Sequence, residues 1–181
     1  MIAFPCSTFS ITRFFNASNA NGGDAGPPII RDFDRPDGLP EKLIDPKHVS
    51  ELRQSNQLLE RMVNLAIAAR RSPARTTIVL ENPADRSPDA TIASSPEFAK
   101  HGAINRTSAF ARLVADADLT GQSTFAYCRL GSAFQKYTTV FYTPEAASVL
   151  NELSGPDFQC NHERGSHAKR AGGRGPDGAF V

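Results

Sequence analysis

Cysteine and tryptophan are scarce in this sequence, which contains three cysteines and no tryptophan among 181 residues. The cysteines, Cys6, Cys128 and Cys160, are odd in number and widely spaced, which does not suit the disulfide framework of a small secreted domain. A charged segment followed by an apolar core and a cleavage site, the mark of a secretion signal, is also missing. We therefore expect an intracellular protein in a reducing compartment, with nucleus and cytoplasm both left open.

Long apolar runs are missing as well. The apolar stretch at residues 62–69 is flanked by Arg61, Arg70 and Arg71, and it falls far short of the roughly 20 residues that a helix needs to span a bilayer. The sequence therefore predicts no membrane-spanning segment.

Neither positive nor negative residues are in clear excess, since 20 basic and 19 acidic residues give a net charge of +1. No global field therefore draws the chain toward nucleic acid. Basic residues cluster only locally, at Arg70, Arg71 and Arg75 and again at Arg164, Lys169, Arg170 and Arg174. We interpret the first cluster as a solvated helix end and the second as part of a tail, with nucleic-acid binding as the alternative for both.

Two apolar runs each end at a reactive side chain. Residues 2–6 lead to the thiol of Cys6, and the β-branched run at residues 76–80 leads to the carboxylate of Glu81. If both runs are neighbouring buried strands, the two groups emerge side by side at one sheet edge, where open α/β folds carry their chemistry. Such a pair suits covalent attack by a thiolate with acid assistance.

Helical periodicity separates these two strands. Asp45-Pro46 supplies a cap and a first-turn proline, apolar residues recur at helical spacing through residues 49–69, and Ser72-Pro73 ends the pattern. Strand, helix and strand in this order predict two parallel strands joined by a right-handed crossover. Residues 7–40 and 83–103, rich in residues that favour turns, are predicted to be loops.

The second half of the chain predicts a short helix and two further strands. Apolar residues from Phe110 to Ala117 indicate the helix, and residues 123–127 and 138–142 are expected to form partly antiparallel strands around Gly131. Thr143-Pro144-Glu145 favours the start of a last helix, which ends near residue 154. We therefore predict an α/β fold in one domain over residues 1–155.

Residues 156–181 are Gly-rich and basic, and we expect them to form a disordered tail. Cys160, His162 and His167 have the residue types of a metal site, but this segment offers few apolar residues to hold ligands in place. We therefore predict no metal, with zinc as the alternative, and interpret Cys128 as a structural residue.

Three motifs resemble those of a known family. Pro-Cys-Ser-Thr-Phe-Ser at residues 5–10 resembles the nucleophile motif of cytosine-C5 DNA methyltransferases, and Glu81-Asn82 resembles their second catalytic motif. The order of motifs is similar to that of a methyltransferase-like group from mobile elements, in which Cys-x-x-Gly is followed by Lys-x-Thr. In this sequence, Cys128 and Gly131 form the Cys-x-x-Gly motif, and Lys136 and Thr138 form the Lys-x-Thr motif.

The resemblance implies an incomplete Rossmann-like methyltransferase sheet and an enzyme that acts on DNA. Its catalytic residues would be Cys6, as the nucleophile that attacks a flipped cytosine, and Glu81, as the acid. The donor of the methyl group would be S-adenosylmethionine, with Pro5 and Asn82 on the cofactor side. The residues that contact nucleic acid would be Ser10, Arg13 and Lys136.

The glycine-rich turn and acidic residue that hold the cofactor in such enzymes would precede Met1. Three alternatives therefore stay open. The chain is the catalytic part of a methyltransferase, a noncatalytic remnant of a mobile element that binds nucleic acid, or one half of a split enzyme. In the last case a second chain supplies the cofactor half and docks on the sheet edge at residues 2–4.

Overall fold

The computed structural model describes residues 2–5, 30–85, 102–162, 167 and 169–170. These residues form a mixed α/β fold. The helices are α1 (Pro46–Arg71), α2 (Ser108–Ala117) and the short α3 (Ala147–Leu150). The strands are β1 (Ile2–Pro5), β2 (Ile78–Pro83), β3 (Gly121–Ala126), β4 (Phe134–Gln135), β5 (Tyr137–Tyr142) and β6 (Lys169–Arg170).

The main sheet has four strands in the order β1-β2-β5-β3. β1 and β2 are parallel, and α1 lies between them along the chain. β5 is antiparallel to both of its neighbours, β2 and β3. A second, smaller sheet pairs β4 with β6 in parallel. The predicted α/β class is confirmed, and the antiparallel pairing of the last strands agrees with the prediction.

Local signals explain the start of α1. The side chain of Asp45 accepts a hydrogen bond from the backbone N–H of Lys47 at 3.1 Å, and Pro46 occupies the first turn, where its missing N–H costs nothing. One face of the helix is buried at helical spacing by Leu52, Leu59, Val63, Ala66 and Ile67. Each large aliphatic side chain buried in this way contributes about 1.5–3 kcal/mol relative to an exposed one.

Apolar layers cover the sheet on both faces. On one face, α1 and α2 pack on Ile78, Leu80 and Phe141. On the other face, Phe125, Val140 and Tyr142 form a cluster that we call the second core, with Leu150, Leu153 and Phe158 packed against it. β5 is therefore buried on both faces from Thr138 to Tyr142.

The predicted last helix is broken into short turns. A 3-10 turn at Pro144–Ala146 leads into α3, and further 3-10 turns follow at Asn151–Ser154 and Pro156–Phe158. Thr143 makes no side-chain cap. Its hydroxyl instead accepts a hydrogen bond from the backbone N–H of Ile78 at 3.2 Å, because the sheet offers a buried donor nearby.

Packing extends beyond residue 155, where we placed the domain boundary. Phe158 packs against the second core, and Gln159 donates from Nε2 to the carbonyl oxygen of Thr124 at 2.9 Å. The predicted loops lie partly outside the described residues, at 6–29 and 86–101. Within the part that the structure describes, no helix has both the length and the apolar character needed to cross a membrane.

Candidate functional site

Glu81 lies where β1 and β2 end together. In the parallel pair, Pro5 is in register with Glu81, and across the antiparallel pair Val140 is opposite it. Because side chains alternate along a strand, Glu81 shares the face of Val79, which packs against the second core. The Glu81 side chain is 28% exposed, so its carboxylate lies at the rim of the core and is open to solvent.

Two side chains contact one oxygen of this carboxylate. One belongs to β5, and the other belongs to the residue just before β5. Thr138 donates from its hydroxyl to Oε1 of Glu81 at 3.0 Å, and Nζ of Lys136 lies 3.5 Å from the same oxygen. Nζ of Lys136 also lies 5.1 Å from the centre of the Tyr127 ring, within the range of a cation–π contact. Oε2 of Glu81 accepts no hydrogen bond from the part of the chain that the structure describes. Among the described residues, the site therefore presents a carboxylate bound through Oε1, beside a half-exposed ammonium group.

Asn82 lies on the opposite face of β2 from Glu81, since neighbouring residues alternate. Its side chain is 1% exposed, and Nδ2 donates to the carbonyl oxygen of Pro83 at 3.1 Å. Oδ1 of Asn82 is buried without a hydrogen-bond partner among the described residues. A buried acceptor left in this state costs about 1–3 kcal/mol, so this oxygen is available to a ligand or to a further part of the protein.

The structure brings some of the predicted site residues together. Pro5, Glu81 and Lys136 converge at the same end of the sheet. Asn82 is adjacent in the chain but faces the other side. The other three, Cys6, Ser10 and Arg13, lie outside the described residues.

Arg70 is not part of a solvated helix end, and that interpretation of the first basic cluster is wrong for this residue. Its side chain is only 5% exposed, and its guanidinium nitrogens lie 2.7 Å from Oε1 of Glu145 and 3.5 Å from Oδ2 of Asp118. Arg71 is exposed, and it lies 3.5 Å from Asp116. These ion pairs engage two of the three arginines that the nucleic-acid alternative assigns to this cluster.

The carboxyl group of Glu145 is strongly stabilised in its charged form. Its pKa is lowered from 4.5 to about 2, first by its own backbone N–H, then by Arg70 and by the hydroxyl of Thr143. Burial acts in the opposite direction and is outweighed.

A cleft of about 460 Å³ lies elsewhere, beside α2 and the start of β3. It is lined by Asn105, Phe110, Ala111, Val114, Leu119, Thr120, Gly121, Gln122 and Phe141. These lining residues include no titratable side chain.

Four further side chains come together at the end of the main sheet. The ligand atoms of Cys128, Cys160, His162 and His167 all lie within 4.8 Å of one another. The spacing in the sequence hides this cluster, because Cys128 is 32 positions before Cys160. Only the clustering of His162 and His167 near Cys160 was visible in the sequence.

Comparisons with models of protein families, with curated proteins and with solved structures found no match to this chain.

Proposed function

We propose that this chain carries the catalytic half of a DNA (cytosine-5) methyltransferase-like domain, with Cys6 as nucleophile and Glu81 as acid. The observation that carries the proposal is the register of β1 and β2, in which Pro5 is opposite Glu81. Cys6 follows Pro5 directly, and consecutive Cα atoms are about 3.8 Å apart. A nucleophile that follows β1 and an acid at the end of β2 both belong to the carboxyl edge of the sheet, the edge where open α/β sheets bind their ligands.

The contacts of Glu81 support the same assignment. The Lys-x-Thr pair of the resemblance, Lys136 and Thr138, are the two residues that bind Oε1 of Glu81. Motifs that are 55 and 57 residues away from Glu81 in the chain therefore meet at one carboxylate. The contact of Lys136 is long for a hydrogen bond, and an ammonium group has three donors. Lys136 is thus available to bind a DNA phosphate as a point charge.

The strand directions suit an incomplete Rossmann-like sheet. A parallel pair is joined through α1, and the antiparallel strands β5 and β3 complete the sheet. Within the described sheet, β1 is an edge strand that pairs only with β2. An open edge at this position accepts further strands, which favours a cofactor half supplied by another segment or by a second chain.

The chemistry needs a thiolate because carbon 5 of cytosine is not nucleophilic by itself. Addition of the Cys6 thiolate at carbon 6, with proton donation by Glu81 to ring nitrogen 3, turns the ring into an enamine. Bound S-adenosylmethionine would supply the methyl group that carbon 5 takes up. Loss of the carbon 5 proton to solvent, return of the nitrogen 3 proton to Glu81 and departure of the thiolate would then restore the ring and the enzyme.

A covalent capture experiment tests the proposal. Duplex DNA with 5-fluorocytosine is incubated with the chain and S-adenosylmethionine, because fluorine at carbon 5 prevents the proton loss that releases the thiolate. We expect an adduct that survives denaturation, which Cys6→Ala abolishes and Glu81→Gln slows. Glu152→Gln is the matched control, since Glu152 is exposed and distant in the chain from the site.

The absence of an adduct with the folded chain contradicts catalysis by this chain alone. The split enzyme then predicts capture once the missing half is added. A noncatalytic remnant predicts DNA binding that weakens with salt and no capture under either condition.

A further inference from the structure

We propose that Cys128, Cys160, His162 and His167 bind one zinc ion with tetrahedral geometry. Their four ligand atoms lie within 4.8 Å of one another. Two thiolates and two imidazoles are the donor set that zinc favours in structural sites, where four protein ligands leave no open position.

Two of the separations between ligand atoms match such a site. Sγ of Cys160 lies 3.5 Å from Nδ1 of His162 and 3.5 Å from Nε2 of His167. Zinc–sulfur bonds of about 2.3 Å and zinc–nitrogen bonds of about 2.0–2.1 Å at a tetrahedral angle separate sulfur and nitrogen by roughly 3.5 Å. The two imidazole rings meet edge to face with centres 4.8 Å apart, so both can direct a nitrogen to one ion.

Hydrogen bonding accounts for single pairs in the cluster but does not require all four atoms to lie together. A thiol donates one proton, and its sulfur also accepts weakly from an imidazole N–H. Here two imidazole nitrogens approach the sulfur of Cys160 at the same distance, and the sulfur of Cys128 joins the cluster. Convergence of all four atoms on one centre is what a metal requires.

The fold holds the segments that carry the ligands. Cys128 lies in the 3-10 turn Tyr127–Leu130, which follows β3 directly and closes at Gly131, where the φ of 87° favours glycine. Arg129 reaches from this turn to the Cys160 segment, donating to the carbonyl oxygen of Asp157 at 2.7 Å and to Oδ1 of Asn161 at 2.8 Å. The two segments are thus clamped together on both sides of Cys160.

Two more supports surround the cluster. The hydrogen bond from Gln159 to Thr124 and the packing of Phe158 on the second core fix the chain just before Cys160. β6 begins two residues after His167 and pairs with β4. The described part of the predicted tail is therefore held by backbone pairing and by a hydrogen bond to the main sheet.

The zinc site lies beside the candidate active site. Tyr127, next to Cys128, donates its backbone N–H to the carbonyl oxygen of Lys136 at 2.9 Å, and its ring contacts the Lys136 ammonium group. A metal that fixes the turn at Cys128 thereby fixes the strand end that carries Lys136 toward Glu81. The zinc ion has a structural role, and it is independent of whether Cys6 is catalytic.

Metal analysis of the full-length chain, purified with reduced thiols, tests this inference. We expect about one zinc per chain. Titration of the metal-free chain with Co²⁺ should give the visible absorption of tetrahedral coordination together with thiolate-to-metal charge transfer. His167→Gln and Cys160→Ser should weaken zinc binding by more than about 100-fold, beyond the 10–100-fold effect of losing a supporting contact.

The matched control is His48→Gln, because His48 contacts Glu51 on α1 and lies outside the cluster. It should leave zinc content and the Co²⁺ spectrum unchanged. Since the titration uses the wild-type chain, it does not depend on how well the variants fold. A folded wild-type chain that takes up neither zinc nor Co²⁺, or a spectrum that His167→Gln leaves unchanged, would overturn the proposal.

Discussion

The hydroxyl of Thr138 donates to Oε1 of Glu81 at 3.0 Å, across the antiparallel pair of β5 and β2. Thr138 is fully buried, whereas Glu81 is half-buried. The two residues are diagonal neighbours on one face of the sheet, since Glu81 is opposite Val140. This bond fixes the carboxylate against the sheet through Oε1.

Thr138→Val should lower the free energy of unfolding by about 1–2 kcal/mol, because it removes a donor to a charged acceptor while keeping the shape of the side chain. Urea denaturation measures the change. In a double-mutant cycle with Glu81→Gln, the two changes should couple by about 1 kcal/mol. Thr138→Ser keeps the hydroxyl and should retain most of that coupling. Strictly additive effects would contradict the importance of the bond.

Acid should destabilise the protein through Glu145. The pKa of this group is lowered from 4.5 to about 2 in the folded protein, so its contribution is fully present above pH 4.5 and is lost as the pH falls toward 2. Glu145→Gln should therefore flatten the decline of the melting temperature over this pH window. Glu152→Gln serves as the control and should keep the decline of the wild type. An unchanged pH profile in Glu145→Gln would contradict the prediction.

Gly121→Ala should destabilise the fold by about 1–3 kcal/mol, the usual cost of overpacking. A Cβ atom at this position would overlap the ring of Tyr142. That ring is fully buried, and its hydroxyl is bound to Ser123 at 2.8 Å and to Asn151 at 2.6 Å, so it has little freedom to move. Thermal unfolding measures the loss, and unchanged stability would show that the ring can shift.

A matched comparison for this variant is Gly131→Ala. A Cβ atom at Gly131 meets no heavy atom within 4 Å, so any cost there comes from the φ of 87° alone. That conformational cost is about 1–2 kcal/mol. The two glycines thus separate a steric effect from a backbone effect.

Arg129→Ala should weaken zinc binding by about 10–100-fold without removing a ligand. The guanidinium group clamps the segment around Cys160 through Asp157 and Asn161. Competition with a chromophoric chelator measures the affinity. Arg112→Ala, which removes an exposed ion pair with Glu60, should bind zinc as the wild type does. Equal affinities in the two variants would show that the clamp does not position the ligands.

Local patterns in the sequence predict those elements whose signals lie within one segment. The cap at Asp45, the proline at Pro46 and the apolar face of α1 are all contained in one stretch of chain, and the structure has this helix at the predicted position. The strand that leads to Glu81 was equally visible, because its apolar run is continuous. The last helix was mispredicted as one unit because its capping hydroxyl, Thr143, bonds to a distant strand instead.

The candidate site was predictable only in part. The motifs marked Glu81 and Lys136, yet the sequence contained no signal that they touch. The burial of Arg70 was also hidden, because its partners Asp118 and Glu145 lie on other elements. The clustering of Cys128 with Cys160, His162 and His167 was hidden for the same reason, since Cys128 joins the other three side chains only after the chain has folded back.

The sequence by itself determined the α/β class, the long helix and the residues with reactive groups, because caps, periodicity and residue chemistry act over a few neighbouring positions. Only the tertiary structure decided that β5 lies between β2 and β3, which brings Lys136 and Thr138 to Glu81. It also decided that the segment of Asp157 and Phe158 packs beside the turn at Cys128 and on the second core. Such contacts depend on burial and strand pairing between distant segments, which no local pattern specifies.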